Sequence, residues 1–222
     1  MKVLIACEES QAVCIEFRKL GFDAFSCDIQ DCSGGHPEWH IQDDVLKVIN
    51  DGWDLMIAFP PCTYLTVTAN AWFKEQPLRK SGALVGQARE QAREQAIDFF
   101  MHFVNAPIKH IAIENPIGVM SSLYKKPTQI IQPFYFGDTS RKSTCLWLKN
   151  LPKLYHNKRI NLFDDHVTHV EPDIYTFKNG KGTCSRDYMY ALSSGQDRAK
   201  IRSKTFPGIA KAMAEQWSKY LN

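Results

Sequence analysis

Nowhere in its 222 residues does the chain carry an apolar run approaching the ~18 to 20 residues that a membrane-spanning helix needs. Its N-terminus passes from Met1-Lys2 straight into a five-residue apolar stretch, too short for the core of a signal peptide, so a cytoplasmic protein is expected. Cysteine is present but in the wrong pattern for a disulfide framework. Seven thiols, an odd number and scattered along the chain, point to reduced cysteines with individual roles. Internal repeats, low-complexity tracts and clear linkers are missing as well. With 44% hydrophobic and 23% charged residues, the composition is that of one globular domain over residues 1–222 with a substantial core.

Net charge of one sign is also scarce, at +3 overall, but its distribution is uneven. Residues 1–138 hold 12 Lys and Arg against 17 Asp and Glu, whereas residues 139–222 hold 15 against 7. The basic end includes Lys142, Lys149, Lys153, Lys158 and Arg159, and later Arg198, Lys200, Arg202 and Lys204. Such clusters suit a phosphate-facing surface, and equally a solvated face with no polyanion.

Apolar patterning divides the chain into alternating elements. Lys2-Val3-Leu4-Ile5-Ala6 reads as a buried strand, followed by a helical pattern over residues 11–20 that stops at Gly21. A second strand over residues 22–27 ends at Asp28, and residues 30–42, rich in Gly, Asp, His and Pro, read as loop. A short helix over residues 43–50 precedes a strand over 53–58, which Pro60-Pro61 must end because proline cannot donate to a ladder. Residues 83–105 give a long amphipathic helix with Gln, Glu and Arg on its polar face, and His110-Ile111-Ala112-Ile113 a further strand. This rhythm predicts an α/β fold with a mostly parallel, doubly wound sheet. Residues 130–136 and 144–148 add an antiparallel hairpin at its edge, residues 150–200 show no periodicity, and residues 207–221 form a closing helix begun by proline.

In an open parallel sheet, ligands bind outside the carboxyl ends of the strands, near the point where strand order reverses. Chemistry-bearing residues fall at those ends: Glu8, Glu9 and Ser10 after the first strand, Asp28 after the second, Cys62 after the strand over 53–58, and Glu114 after the next. A carboxylate at Asp28 suits the hydroxyls of a ribose, although a loop-ordering Asp gives the same pattern. Pro60-Pro61 fixes the backbone just before Cys62 and so directs its thiol. A thiolate there is suited to cytosine, whose carbon 5 becomes nucleophilic only after addition at carbon 6. The charge then arising at ring nitrogen 3 calls for a carboxylic acid kept protonated by burial, a role for Glu114.

These residues resemble the C5-cytosine-specific DNA methyltransferase family, in the compact form often carried by phages. Pro60-Pro61-Cys62 followed by Thr63-Tyr64-Leu65-Thr66 is similar to the family's nucleophile motif, Glu114-Asn115-Pro116 to its Glu-Asn-Val motif, and Ser203-Lys204-Thr205-Phe206-Pro207 to its closing motif. The likeness covers roughly residues 1–150 and 200–222. It implies a Rossmann-like S-adenosylmethionine-dependent methyltransferase fold and methyl transfer to carbon 5 of cytosine in DNA, with Cys62 as nucleophile and Glu114 at ring nitrogen 3. It further implies that Asp28, with Ile29, binds the cofactor ribose and Asp44-Val45 the adenine end, with Cys7, Glu8, Ser10 and Pro60 completing the cofactor set. Arg141 falls near the family's Gln-x-Arg-x-Arg segment and is the third expected catalytic residue. Pro61, Thr63, Asn115 and Lys142 are expected to face substrate, and no metal is expected.

The chain departs from the pattern in two places. Where the family has a glycine-rich first loop, this sequence reads Ala6-Cys7-Glu8-Glu9-Ser10; a helix N-terminus at Ser10 would offer amides to the methionine carboxylate, against repulsion from Glu8 and Glu9. Where longer members insert a target-recognition domain, residues 149–202 form only a short basic insertion. A brief or degenerate DNA target, single-stranded DNA, RNA and a free cytosine nucleotide therefore all remain open as substrates. Two other readings stay beside this one. Cys27, Cys32, His36 and His40 have spacing compatible with a tetrahedral zinc site, and the same fold without catalysis would serve as a nucleic-acid-binding or inhibitory module.

Overall fold

The computed structural model describes residues 1–67, 70–77, 82–157, 168–177, 182–185 and 205–221. Lys158, Arg159, Arg198, Lys200, Arg202, Ser203 and Lys204 lie outside the described residues, so the expected closing motif is represented by Thr205, Phe206 and Pro207 alone.

Seven strands build one sheet in the order β3-β2-β1-β4-β5-β7-β6. They are β1 (Lys2–Ala6), β2 (Asp23–Asp28), β3 (His40–Gln42), β4 (Leu55–Ala58), β5 (His110–Pro116), β6 (Gln129–Ile131) and β7 (Thr144–Lys149). The first five pair in parallel, whereas β7 runs antiparallel to both β5 and β6. This is the mostly parallel, doubly wound sheet with an antiparallel edge that the patterning predicts. Strand order reverses between β1 and β4, so the crevice outside their carboxyl ends is the favoured ligand position.

Alternate residues of the strands enter two cores. Val3, Ile5, Leu55, Ile57, Ala112 and Leu146 pack under α1 (Ala12–Lys19) and the closing helix α5 (Pro207–Trp217), where Phe17, Met213 and Trp217 are buried. Leu4, Ala6, Met56, Ala58, Ile111, Ile113 and Trp147 face the other way, with Phe100 and Phe103 of α3 (Gly86–Asn105), Val45 of α2 (Val45–Val48) and Met120 of α4 (Met120–Leu123). The period of two along each strand is what a sheet covered on both faces requires. Gly208 lets α5 dock closely: a Cβ there would sit 1.9 Å from the Phe136 carbonyl oxygen.

Four expectations need correction. The stretch over residues 30–42 is not all loop, because His40–Gln42 adds a parallel edge strand after a 3-10 turn at Pro37–Trp39. Three residues are too few for periodicity to register. The strand expected over 130–136 is cut to Gln129–Ile131 because Pro133 opens a 3-10 turn through Phe136, while the antiparallel pair itself closes the sheet as expected, with β6 outermost. The unpatterned stretch after 150 includes a separate hairpin of β8 (Ile174–Thr176) and β9 (Thr183–Ser185). Finally, Arg89 does not lie on a solvated face of α3; it is 3% exposed. No helix among the described residues is long and apolar enough to cross a membrane.

Candidate active site

The loop after β4 carries the expected nucleophile. Phe59 extends the strand by donating to the Ala6 carbonyl at 2.9 Å, and Pro60 is still buried. Pro61, Cys62 and Thr63 then emerge into solvent. The Cys62 carbonyl accepts from the amides of Leu65 and Thr66, at 3.0 and 3.1 Å, which folds the chain into a tight turn immediately after the thiol.

That turn is fastened to the last residues of the neighbouring strand, β5, which runs on through the expected Glu114-Asn115-Pro116 loop, and to the segment after it. Asn115, 1% exposed, donates its Nδ2–H to the Pro60 carbonyl oxygen at 2.8 Å. Val119 donates to the Leu65 carbonyl at 2.8 Å, and Thr66 and Gly118 form an antiparallel bridge. Gly118 has to be glycine for this approach, since a Cβ would lie 2.2 Å from the Leu65 oxygen. The Pro-Pro-Cys and Glu-Asn-Pro segments are thus one hydrogen-bonded unit at adjacent strand ends. Asn115, expected to face substrate, is instead buried beneath the nucleophile loop and holds it.

Glu114 lies beside this unit, in a small cleft lined by Phe59, Lys142, Thr144, Thr205, Phe206 and Ile209. Burial pushes its carboxyl above the ordinary range, against the opposing pull of the Lys142 ammonium and the Thr144 hydroxyl. Lys142 stands over the Phe206 ring at 5.9 Å, so the described part of the closing motif meets Glu114 in one cleft. Arg141 is exposed and reaches β9 instead, where its Nη1 donates to the Thr183 hydroxyl at 3.3 Å.

On the cofactor side, Cys7 takes a left-handed backbone conformation (φ 60°), making the turn after β1 without glycine. Burial raises its thiol far above the usual cysteine range, and the carboxylates of Asp28 and Asp44 are near enough to add to the shift. Asp28 orders its own loop by accepting from the Gln30 amide at 2.9 Å, and Ile29 beside it is 76% exposed. Asp44 caps α2 through the Leu46 amide at 3.0 Å, and Val45 is buried in the core.

Glu8 is the clearest correction. Its carboxylate turns into the fold and accepts from the amides of Val13 and Cys14, at 2.8 and 3.3 Å, so it caps α1 from within. Burial raises its pKa to about 7. Two of the amides that a helix start near Ser10 was expected to offer a ligand, those of Val13 and Cys14, are already taken by Glu8. Ser10 itself is partly buried, with its carbonyl against Gly34. Glu9, 8% exposed, has a buried Oε2 with no hydrogen-bond partner among the described residues.

The zinc pattern does not gather. The Cys27 thiol is buried and donates to the Asp43 carbonyl, both ring nitrogens of His40 are engaged by Ser26 and Gln30, and His36 stacks on Trp39 at 3.9 Å. Among the described residues no three His, Cys, Asp or Glu side chains form a metal-binding group. The loop that holds Cys32 and His36 is instead fastened over the β1 loop: buried Gln11 donates to the His36 carbonyl at 2.7 Å and accepts from its amide at 3.0 Å.

Two functional candidates escaped the sequence reading altogether. Arg89 and Arg93, four residues apart on α3, face the segment that follows Cys62. Their repeat in Ala-Arg-Glu-Gln-Ala-Arg-Glu-Gln was the available signal, since residues four apart share a helix face.

No protein-family model matches the chain, and no curated protein matches it in sequence. Among solved structures it is similar to the Dnmt2 methyltransferase of S. pombe, at 16% identity and a TM-score of 0.41, over 70% of this chain and 51% of that one. It is also similar to a mutant DNMT2 of Spodoptera frugiperda, at 15% identity and a TM-score of 0.35, over 72% and 53%. The chain spans about half the length of these solved proteins.

Proposed function

We propose that this chain is a methyltransferase-like enzyme working by covalent thiol catalysis, and in particular that it transfers a methyl group from S-adenosylmethionine to carbon 5 of cytosine in DNA. The observation that carries this reading is the Asn115–Pro60 hydrogen bond, which joins the Cys62 loop to the strand end bearing Glu114. A nucleophile on a loop and an acid on the neighbouring strand are useful only when their separation is fixed.

In this reading the Cys62 thiolate adds to carbon 6, forming an S–C bond and placing an electron pair at carbon 5. Glu114, its carboxyl pushed above the ordinary range by burial, donates a hydrogen bond to ring nitrogen 3 in its acid form, with Lys142 in the same cleft balancing the charge that develops. Carbon 5 would then take the methyl group, the donor leaving as a neutral thioether; the carbon 5 proton would pass to water, and its electron pair would restore the 5,6 double bond as the S–C bond breaks and Cys62 returns as thiolate. S-adenosylmethionine supplies an electrophilic methyl on a sulfonium centre when bound.

The residues at the carboxyl ends of β1, β2 and β3 are of the kinds that would hold that cofactor. Asp28 would hold the ribose and Asp44, through the carboxylate oxygen not committed to its helix, the adenine amino group. The unpartnered Oε2 of Glu9 is an acceptor suited to the methionine ammonium. Glu8, internally capped and close to half-protonated at neutral pH, is withdrawn from the crevice and so adds little repulsion.

The test is incubation with labelled S-adenosylmethionine and, separately, duplex DNA, single-stranded DNA, RNA and deoxycytidylate. Label in DNA that disappears in Cys62→Ala supports the proposal, and label in no substrate removes it. A 5-fluorocytosine substrate should trap a covalent adduct on Cys62, because fluorine at carbon 5 blocks elimination.

A further inference from the structure

Behind the nucleophile turn stands a pair of cations that the chemistry above does not use. Arg93 donates its Nε–H to the Tyr64 carbonyl at 2.8 Å and its Nη2–H to the Thr66 carbonyl at 3.2 Å and to Asn70 Oδ1 at 3.2 Å. Its guanidinium also lies 3.8 Å from the centre of the Phe73 ring. One turn earlier on α3, Arg89 is buried, with its guanidinium 5.1 to 5.2 Å from the ring centres of Tyr64, Trp72 and Phe73. Its Nε has no acceptor among the described residues, so its stabilisation there comes largely from the ring faces and from the Leu84 carbonyl.

These contacts are costly in one respect. Desolvation and the like charge of Arg89 both lower the Arg93 pKa, so two guanidiniums are held close together against their mutual repulsion. A lysine would satisfy fewer of the three acceptors, since only the planar fork presents several donors in fixed directions.

We propose that Arg93 is a positioning residue for Cys62. It grips the two carbonyls of the turn that Cys62 opens and, through Asn70 and Phe73, couples that turn to the segment Asn70–Phe73, with Arg89 packing the aromatic side of the same segment. The thiol is then fixed from two directions, by Asn115 on β5 at Pro60 and by Arg93 on α3 at Tyr64 and Thr66. The proposal rests on reading Cys62 as the nucleophile.

Arg93→Gln and Arg93→Lys test it. Turnover and the rate of covalent trapping by a 5-fluorocytosine oligonucleotide should both fall by roughly 10- to 100-fold, as expected of a nucleophile displaced by about an ångström. The KM for S-adenosylmethionine should stay within about twofold. Hydrogen exchange at the amides of Leu65 and Thr66, which close the turn on Cys62, should quicken at least tenfold while amides of β1 and α1 keep their rates. Lysine should recover only a small part of the loss. Folded variants with wild-type turnover and trapping overturn the proposal, and so does faster exchange spread evenly over the domain, which marks a merely structural residue. Should the wild-type protein methylate nothing, the functional reading falls, and the exchange at Leu65 and Thr66 still decides whether Arg93 fixes the turn.

Discussion

Replacing Asn115 with alanine removes one donor at the most enclosed point of the candidate site. The Pro60 carbonyl loses its Asn115 partner within a buried hydrogen bond, and a buried polar group left unsatisfied costs ~1–3 kcal/mol. The void left by the amide adds to this, and we expect a total of about 2–3 kcal/mol. For a domain of this size each kcal/mol shifts the melting temperature by roughly 2–4 °C, giving a fall of roughly 5–10 °C. Cys62→Ala, at an exposed position whose backbone bonds survive, should stay within ~0.5 kcal/mol of wild type. Thermal unfolding followed by circular dichroism separates the two. Asn115→Asp sharpens the test, because the protonated acid can donate to Pro60 and the carboxylate cannot. Its folded pKa should be raised by burial, so the variant should melt near wild type at low pH and lose stability as pH climbs past the unfolded carboxylate value of about 3.9. An Asn115→Ala protein that melts within 2 °C of wild type would refute the claim that this bond holds the site together.

Three further outcomes follow from the same geometry. The folded pKa of Glu8 is about 7 against an ordinary 4.5. The native state therefore binds the extra proton, its contribution is full below about 4.5, and stability should decline by about 3 kcal/mol as pH rises through 7; Glu8→Gln, measured by denaturant titration at several pH values, should flatten that slope. Gly118→Ala should force the two loops apart and reduce covalent trapping at Cys62 at least tenfold, which trapping gels will report. Glu114→Gln should lower methyl transfer by roughly 10²-fold or more with DNA binding retained, as expected for loss of a group that acts on developing charge; equal turnover in single-turnover assays would remove Glu114 from the chemistry.

Local information was enough for the scaffold. Unbroken apolar runs at β1, β4 and β5, the amphipathic patterns of α1, α3 and α5, and the strand-ending Pro60-Pro61 pair are set by neighbours a few residues apart, and the structure keeps them. The same signals placed Cys62 and Glu114 at the ends of strands. Whether those two residues met was beyond the sequence, because strand order is decided by which faces bury together. Only the pairing of β4 with β5 brings Asn115 under Pro60 and Gly118 against Leu65.

Burial of polar groups was the other decision left to tertiary structure. Glu8 reads in sequence as a loop carboxylate facing a ligand, yet the start of α1 offers it two amides and the sheet encloses it. Arg89 reads as a solvated helix residue, yet rings from the Cys62 side of the chain close over it. In both cases the side chain's partner comes from packing rather than from composition: a charge's environment depends on what folds onto it, and a one-dimensional pattern records only the charge.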